Sequence, residues 1–190
     1  MIGKQFRKGP AAAGLFLGAC LFAGPAAAAL AVGDLAPDFS VPAALGGKEF
    51  RFSLSDALKR GPVVVYFYPK SFTRGCTIEA HEFAEAAADF SKAGASLIGV
   101  SADPIQTQLQ FSTQECRNKF PIAADPGLGV IRAFDSVRAA GANASSSVAD
   151  RISYVIETDG KVGYAYSDRA PEKHVENTLD FVRRHGASRR

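Results

Sequence analysis

The hydrophobic pattern of the chain centres on Val63-Val64-Val65-Tyr66-Phe67-Tyr68. Six β-branched or aromatic residues in succession predict a strand buried on both faces. Pro69 stops its ladder, because proline has no N–H to donate. A short loop leads to Gly75-Cys76, and a helix is predicted over 76–92. There Phe83, Ala87 and Phe90 fall at i, i+4 and i+7, while Glu82, Glu85, Asp89 and Lys92 take other positions, as on a helix laid against a sheet. Gly94 ends it. Ser96–Ser101 (SLIGVS) reads as the next buried strand, and Asp103-Pro104 opens a helix to about Asn118, with Ile105, Leu109, Ser112 and Cys116 on one inward face. Phe120–Asp125 is a short strand and 128–134 a short helix. Ile152–Glu157 and Val162–Tyr166 flank the Asp159-Gly160 turn as a hairpin, and Glu172–Arg184 closes the chain with Val175, Leu179 and Val182 on one face. Upstream, Asp34–Phe39 is an extended, proline-marked entry. Lys48–Phe52 alternates like a short strand after Gly46-Gly47, and Ser53 and Ser55 can cap a helix through Leu58. Residues 139–149 form a loop of small side chains.

Two strand–helix–strand crossovers followed by a hairpin and a helix predict an α/β fold, a mixed sheet with helices on both faces. This is the element order of the thioredoxin fold with additions. Neither repeats nor linkers interrupt it, so residues 32–190 read as one domain. Residues 1–31 stand apart. Lys4, Arg7 and Lys8 precede the apolar run 11–23, and Ala29-Leu30-Ala31 offers a small-residue cleavage site. That is the layout of a secretory signal peptide, and its apolar core is short for a membrane span. Leu17-Gly18-Ala19-Cys20 is similar to a bacterial lipobox in which Cys20 would carry lipid. The apolar run continues through Leu21-Phe22, however, so simple cleavage and export to a bacterial periplasm is the expectation, with lipid anchoring the lesser alternative.

Removing the leader changes two totals. The formal charge of +3 falls to zero with the three cations, leaving no basic excess to suggest nucleic acid. Cys20 leaves as well, so of three cysteines Cys76 and Cys116 remain. They permit one disulfide, and spacing leaves open whether it is structural, catalytic or absent. A domain of about 160 residues buries a normal core without it. The Asn143-Ala144-Ser145 sequon carries little weight behind a bacterial-type leader.

The candidate chemistry lies at Cys76. In the first turn of a helix, unpaired N–H groups and the positive end of the macrodipole favour a thiolate. In the thioredoxin architecture this loop usually carries two cysteines separated by two residues. Here the tetrad is Thr73-Arg74-Gly75-Cys76, with a hydroxyl in place of the first thiol. Disulfide exchange needs that second sulfur; a threonine hydroxyl can instead hold a peroxide oxygen against the thiolate. Other residues receive plainer readings. His81 is a helix-surface residue, and Cys76-x4-His81 lacks a third ligand for a metal. Tyr164 and Tyr166 pack on the sheet, His174 and His185 are solvated in a polar helix, and Phe39 and Phe72 either flank the site or fill the core.

Pro69-x-x-x-Thr73-x-x-Cys76 resembles the peroxiredoxin active-site motif. Phe67-Tyr68-Pro69-Lys70 and Gly75-Cys76-Thr77-x-Glu79-Ala80 are similar to its Q-type branch, the bacterioferritin comigratory proteins. Arg151-Ile152-Ser153-Tyr154-Val155-Ile156 matches the family's later arginine strand, and the likeness runs from about Val32 to His185. The resemblance implies a thiol-dependent peroxidase acting on hydrogen peroxide and organic hydroperoxides, without metal or organic cofactor. Cys76 would be the peroxidatic thiolate. Thr73 would position the peroxide, Arg151 would stabilise charge as the O–O bond breaks, Pro69 would shield the site and Glu79 would orient the arginine. The product is a sulfenic acid, recycled by a resolving cysteine or by a thioredoxin- or glutaredoxin-like reductant. Arg74 replaces a proline frequent in this branch, and His81 stands where many members carry the resolving thiol. An internal resolving thiol must then be Cys116, which some members place on the following helix; the competing reading is a buried, inert cysteine. Without an extended C-terminal arm, a monomer or weak dimer is expected. The alternatives are a thioredoxin-like disulfide exchanger and a redox-sensing or chaperone-like binding module.

Overall fold

The computed structural model describes residues 29–138 and 147–186. The leader to residue 28 with Cys20, the sequon at Asn143 and the last four residues lie outside the described residues. The chain order is β1 (Ser40–Leu45), β2 (Lys48–Ser53), α1 (Leu54–Leu58), β3 (Val63–Phe67), α2 (Arg74–Lys92), β4 (Ser96–Ser101), α3 (Ile105–Gln114), β5 (Ile122–Ala124), α4 (Gly129–Ala133), β6 (Val137–Arg138), β7 (Val148–Ala149), β8 (Ile152–Ile156), β9 (Val162–Ser167) and α5 (His174–Gly186). Seven strands form one sheet in the order β2-β1-β5-β4-β3-β8-β9, and β6 pairs with β7 alone.

The expected buried strand, β3, is interior to the sheet, between β4 and β8. β3 runs parallel to β4, and β4 parallel to β5, because each connection is a helical crossover; β8 pairs with β3 antiparallel, and the β8–β9 hairpin closes that edge. Strand alternation divides β3 between two cores. Val63, Val65 and Phe67 join one cluster with α1 and α4. Val64, Tyr66 and Tyr68 join another with α2, α3 and α5. All six side chains are at most 1% exposed, and burying each apolar body is worth roughly 1.5–3 kcal/mol. Tyr66 seats α2. Its ring stacks on Phe83 at 4.3 Å and lies over Gly99 of β4, where an added Cβ would stand 2.6 Å from the ring. The functional helix is therefore fixed to β3 by packing along its length.

Local chemistry explains the shorter elements. Ser53 caps α1 by accepting the Asp56 N–H, and Asp125 accepts the N–H groups of Gly129 and Ile131 at the start of α4. Three expectations are corrected. Pro42 masked β1, which pairs with β2 on one side and, through Ala43 and Ala44, with β5 on the other. The two-residue pair β6–β7 has no pattern long enough to read. The third helix stops at Gln114 rather than near Asn118, because Arg117 and Asn118 adopt left-handed φ values of 50° and 60°. Its buried face is Gln108, Phe111 and Ser112. Cys116 lies beyond the helix, in the turn that follows.

Candidate active site

Thr73 is the N-cap of α2, which places Cys76 third in the helix, in its first turn as expected. The Thr73 hydroxyl does not cap the helix. It donates to the Lys70 carbonyl at 2.9 Å, which leaves its oxygen free to accept, and the start of α2 takes no side-chain cap from it. An oxygen placed there meets donors from the helix and an acceptor from the threonine. Cys76 itself is 2% exposed, whereas Thr73 is exposed and Pro69 half-buried at the loop entrance.

The loop between Pro69 and Thr73 is held from beneath by a buried polar network. Ser71 donates its backbone N–H to Asp103 Oδ2 at 2.7 Å, and the Ser101 hydroxyl donates to the same oxygen at 2.8 Å. Gln108 Oε1 accepts from the hydroxyls of Tyr68 and Ser71 at 2.9 and 3.1 Å, and Gln108 Nε2 donates to Ser101 Oγ and to the Ala123 carbonyl. Satisfied networks of this kind fix geometry in a low-dielectric interior. They hold Phe72 at φ 63°, with its ring 43% exposed and edge-on to Phe111 at 5.1 Å. Phe39, by contrast, is core: it packs on Phe52 and Phe134.

Arg151 reaches the sulfur from the segment before β8, some 75 residues away in sequence. Its Nη2 donates to Cys76 Sγ at 3.5 Å, its Nη1 pairs with Glu79 and its Nε donates to the Arg169 carbonyl at 3.0 Å. The guanidinium is thus spent on three fixed partners, and its plane is set. Gly75 makes the approach possible, since a Cβ there would lie 3.2 Å from Nη2. Burial pushes the Glu79 carboxyl up to about 8 against the pull of Arg151. Burial also opposes the charge on Arg151, but Glu79 and the Cys76 sulfur outweigh it and hold the guanidinium above its usual value. A cation and a helix N-terminus therefore converge on one sulfur, the setting that stabilises negative charge developing on an attacked oxygen.

Cys76, Glu79, Thr73 and Arg151 are brought together as expected. Cys116 shares the apolar cluster of Cys76, and both are free thiols. Cys116 is fully buried, and burial, with Glu115 adding to it, raises its thiol well above the ordinary value. Two contacts tie its turn to α2: a hydrogen bond between His81 Nε2 and Glu115 at 2.6 Å, and the Arg117–Glu85 ion pair at 3.1 Å. His81 therefore has a partner, which sequence spacing could not show. Tyr164 stacks on Phe181, as sheet packing. His174, expected in solvent, is fully buried. It opens α5 on the face shared by Thr178, Phe181 and Val182, four, seven and eight residues on and all buried, so helical spacing carries it inward despite its polar type. Gly75, Gln108 and Asp103 were also passed over. Only Gly75 carried a signal, a residue without a Cβ directly before a reactive cysteine.

The AhpC/TSA family model matches residues 32–165. Peroxiredoxin Bcp of Escherichia coli K12 is 30% identical over 158 residues, covering 82% of this chain and 97% of that protein. Among solved structures, the peroxidoxin BcpB of Mycobacterium tuberculosis superposes with a TM-score of 0.72 at 32% identity, over 80% of this chain and 96% of the other. A bacterioferritin comigratory protein of Xanthomonas campestris, whose title refers to alkyl peroxide reduction, superposes with a TM-score of 0.68 at 28% identity, over 77% and 92%.

Proposed function

The chain belongs to the AhpC/TSA family of peroxiredoxins and is a thiol-dependent peroxidase, and from that premise we propose that Cys76 is its peroxidatic residue and Cys116 its resolving one. The observation that carries the first assignment is the Arg151 guanidinium donating to Cys76 Sγ at the start of α2. The Cys76 thiolate attacks the terminal oxygen of a hydroperoxide. An S–O bond forms, the O–O bond breaks, sulfur is oxidised by two electrons, and the departing oxygen leaves with a proton as water or alcohol. Thr73 and the first N–H groups of α2 hold the peroxide, and Arg151 meets the charge that develops as the bond parts. Pro69 screens the entrance. The substrates are hydrogen peroxide and small organic hydroperoxides, a class consistent with the alkyl peroxide chemistry named for the Xanthomonas relative.

Recycling requires the Cys116 sulfur to attack the Cys76 sulfenic acid, forming a disulfide and releasing water. A thioredoxin- or glutaredoxin-like dithiol then reduces that disulfide. Burial disfavours the Cys116 thiolate in place, so the turn carrying it must open first. Its two adjacent left-handed residues, Arg117 and Asn118, are a conformation that costs energy and favours opening. Export belongs to the same reading. Ala29 and Leu30 pack against the core, and Leu30 donates its N–H to Tyr154 Oη at 3.2 Å, so the expected cut after Ala31 would remove packed residues, and we place the cut among the alanines before residue 29 instead. The chain has no tryptophan, so the peroxidase assignment is best tested by competition for hydrogen peroxide against a haem peroxidase. The reduced protein should compete and Cys76→Ser should not; equal competition by both refutes the assignment.

A further inference from the structure

Glu79 gives one carboxyl oxygen to Arg151, and its other, Oε1, is buried without a hydrogen-bond partner among the described residues. The group facing Oε1 is Nδ1 of His174, 3.8 Å away and equally buried. Both ring nitrogens of His174 are engaged. Nε2 lies 2.9 Å from the Asp168 carbonyl oxygen, and a carbonyl only accepts, so Nε2 carries the hydrogen. Nδ1 of the neutral ring is then the acceptor for the Ser153 hydroxyl at 2.8 Å. Burial first, and Arg151 after it, lower the ring's affinity for a second proton, while the Asp168 carbonyl opposes them. The titratable or charged groups facing the ring are Glu79 from α2, Arg151 from the segment before β8, Tyr166 of β9, edge-on at 4.8 Å, and Asp168 just beyond β9.

The carbonyl next to that of Asp168 belongs to Arg169, and it is the acceptor for Arg151 Nε at 3.0 Å. One short segment is therefore held by His174 and in turn holds the arginine that touches the cysteine. Asp168, Arg169 and Ala170 are exposed, so packing does not set their place. We propose that His174 is a positioning residue for the peroxidase reaction: through the Asp168–Arg169 carbonyls, and by confronting the unpaired oxygen of Glu79, it fixes the Arg151 guanidinium on the Cys76 sulfur. The inference rests on the assignment of Cys76 as the peroxidatic residue.

The two amide substitutions separate the two sides of the ring. The amide of His174→Gln reaches the Nε2 position and keeps the donor to the Asp168 carbonyl. That of His174→Asn reaches only the Nδ1 position and loses it. Each full-length variant is read three ways: by peroxide competition, by the pH profile of iodoacetamide alkylation at the Cys76 peptide, and by melting temperature. His174→Asn should react with peroxide about tenfold more slowly, as expected for a displaced catalytic group. Its alkylation profile should move up by about one pH unit as the cation withdraws from the sulfur. His174→Gln should recover most of both. Equal rates and profiles in both variants and the wild type overturn the inference. So does a better recovery by His174→Asn, or losses that follow melting temperature with the profile unmoved. A wild-type protein that does not react with peroxide at all indicts the assignment of Cys76 instead.

Discussion

At the scale of single residues the site depends on close approaches. Arg151 contacts the Cys76 sulfur because Gly75 leaves no side chain in its path. Gly75→Ala puts a methyl group 3.2 Å from Nη2, close enough to push the guanidinium by a few tenths of an ångström. Alanine is also the better helix former, by up to about 1 kcal/mol. We therefore expect kcat/KM for hydrogen peroxide to fall by about threefold to tenfold while the melting temperature holds or rises. An unchanged rate would show that the Nη2 contact contributes little. Of the residues proposed to attack and hold the peroxide, Thr73 and Cys76 were legible because the chemistry dictates residue type at short spacing, whereas Arg151, 75 residues on, was legible only through the family resemblance. His174 was not. It continues the buried face of α5, with Thr178, Phe181 and Val182 four, seven and eight residues on, but a histidine beside Glu172 and Lys173 reads as the polar start of a surface helix.

At the scale of elements, α2 and the turn after α3 work against each other. α2 is stacked on β3 through Phe83 and Tyr66, while the turn carrying Cys116 is clasped to it by His81–Glu115 and Glu85–Arg117. Neither pair is fully buried, so each contributes about 0–1 kcal/mol. The clasp is weak enough to open in turnover. Combining Glu115→Gln with Arg117→Ala should lower the melting temperature by about 2–4 °C per kcal/mol lost. It should also speed disulfide formation from the sulfenic acid severalfold, since removing Glu115 lifts a negative charge from beside the Cys116 thiol. A slower disulfide step would mean that the clasp guides the turn instead of restraining it. Strands β3, β4, β8 and β9 and the helices α2 and α5 were legible because their apolar periods run for two turns or several residue pairs. β1 was hidden by Pro42 at a position whose partner lies on β2. The end of α3 was hidden because Arg117 and Asn118 take a left-handed conformation that their residue types do not announce.

Across the whole molecule, the sheet order turns distant sequence into one site. β8 returns antiparallel to β3, so the start of β8 lies beside the end of β3, and Arg151 arrives where Cys76 leaves β3. The same packing buries Cys116 in the cluster that contains Cys76, on the face covered by α2, α3 and α5. In the proposed cycle peroxide attack uses the folded state as it stands, whereas resolution by Cys116 requires part of that state to open. The most direct test adds an equimolar amount of hydrogen peroxide to the reduced protein and maps both thiols by mass spectrometry with a sulfenic acid trap present. The proposed cycle gives a Cys76–Cys116 disulfide in the wild type and a trapped sulfenic acid on Cys76 in Cys116→Ser. Peroxide consumed with Cys76 left as a free thiol, or a wild-type sulfenic acid that persists beside a reduced Cys116, would contradict it.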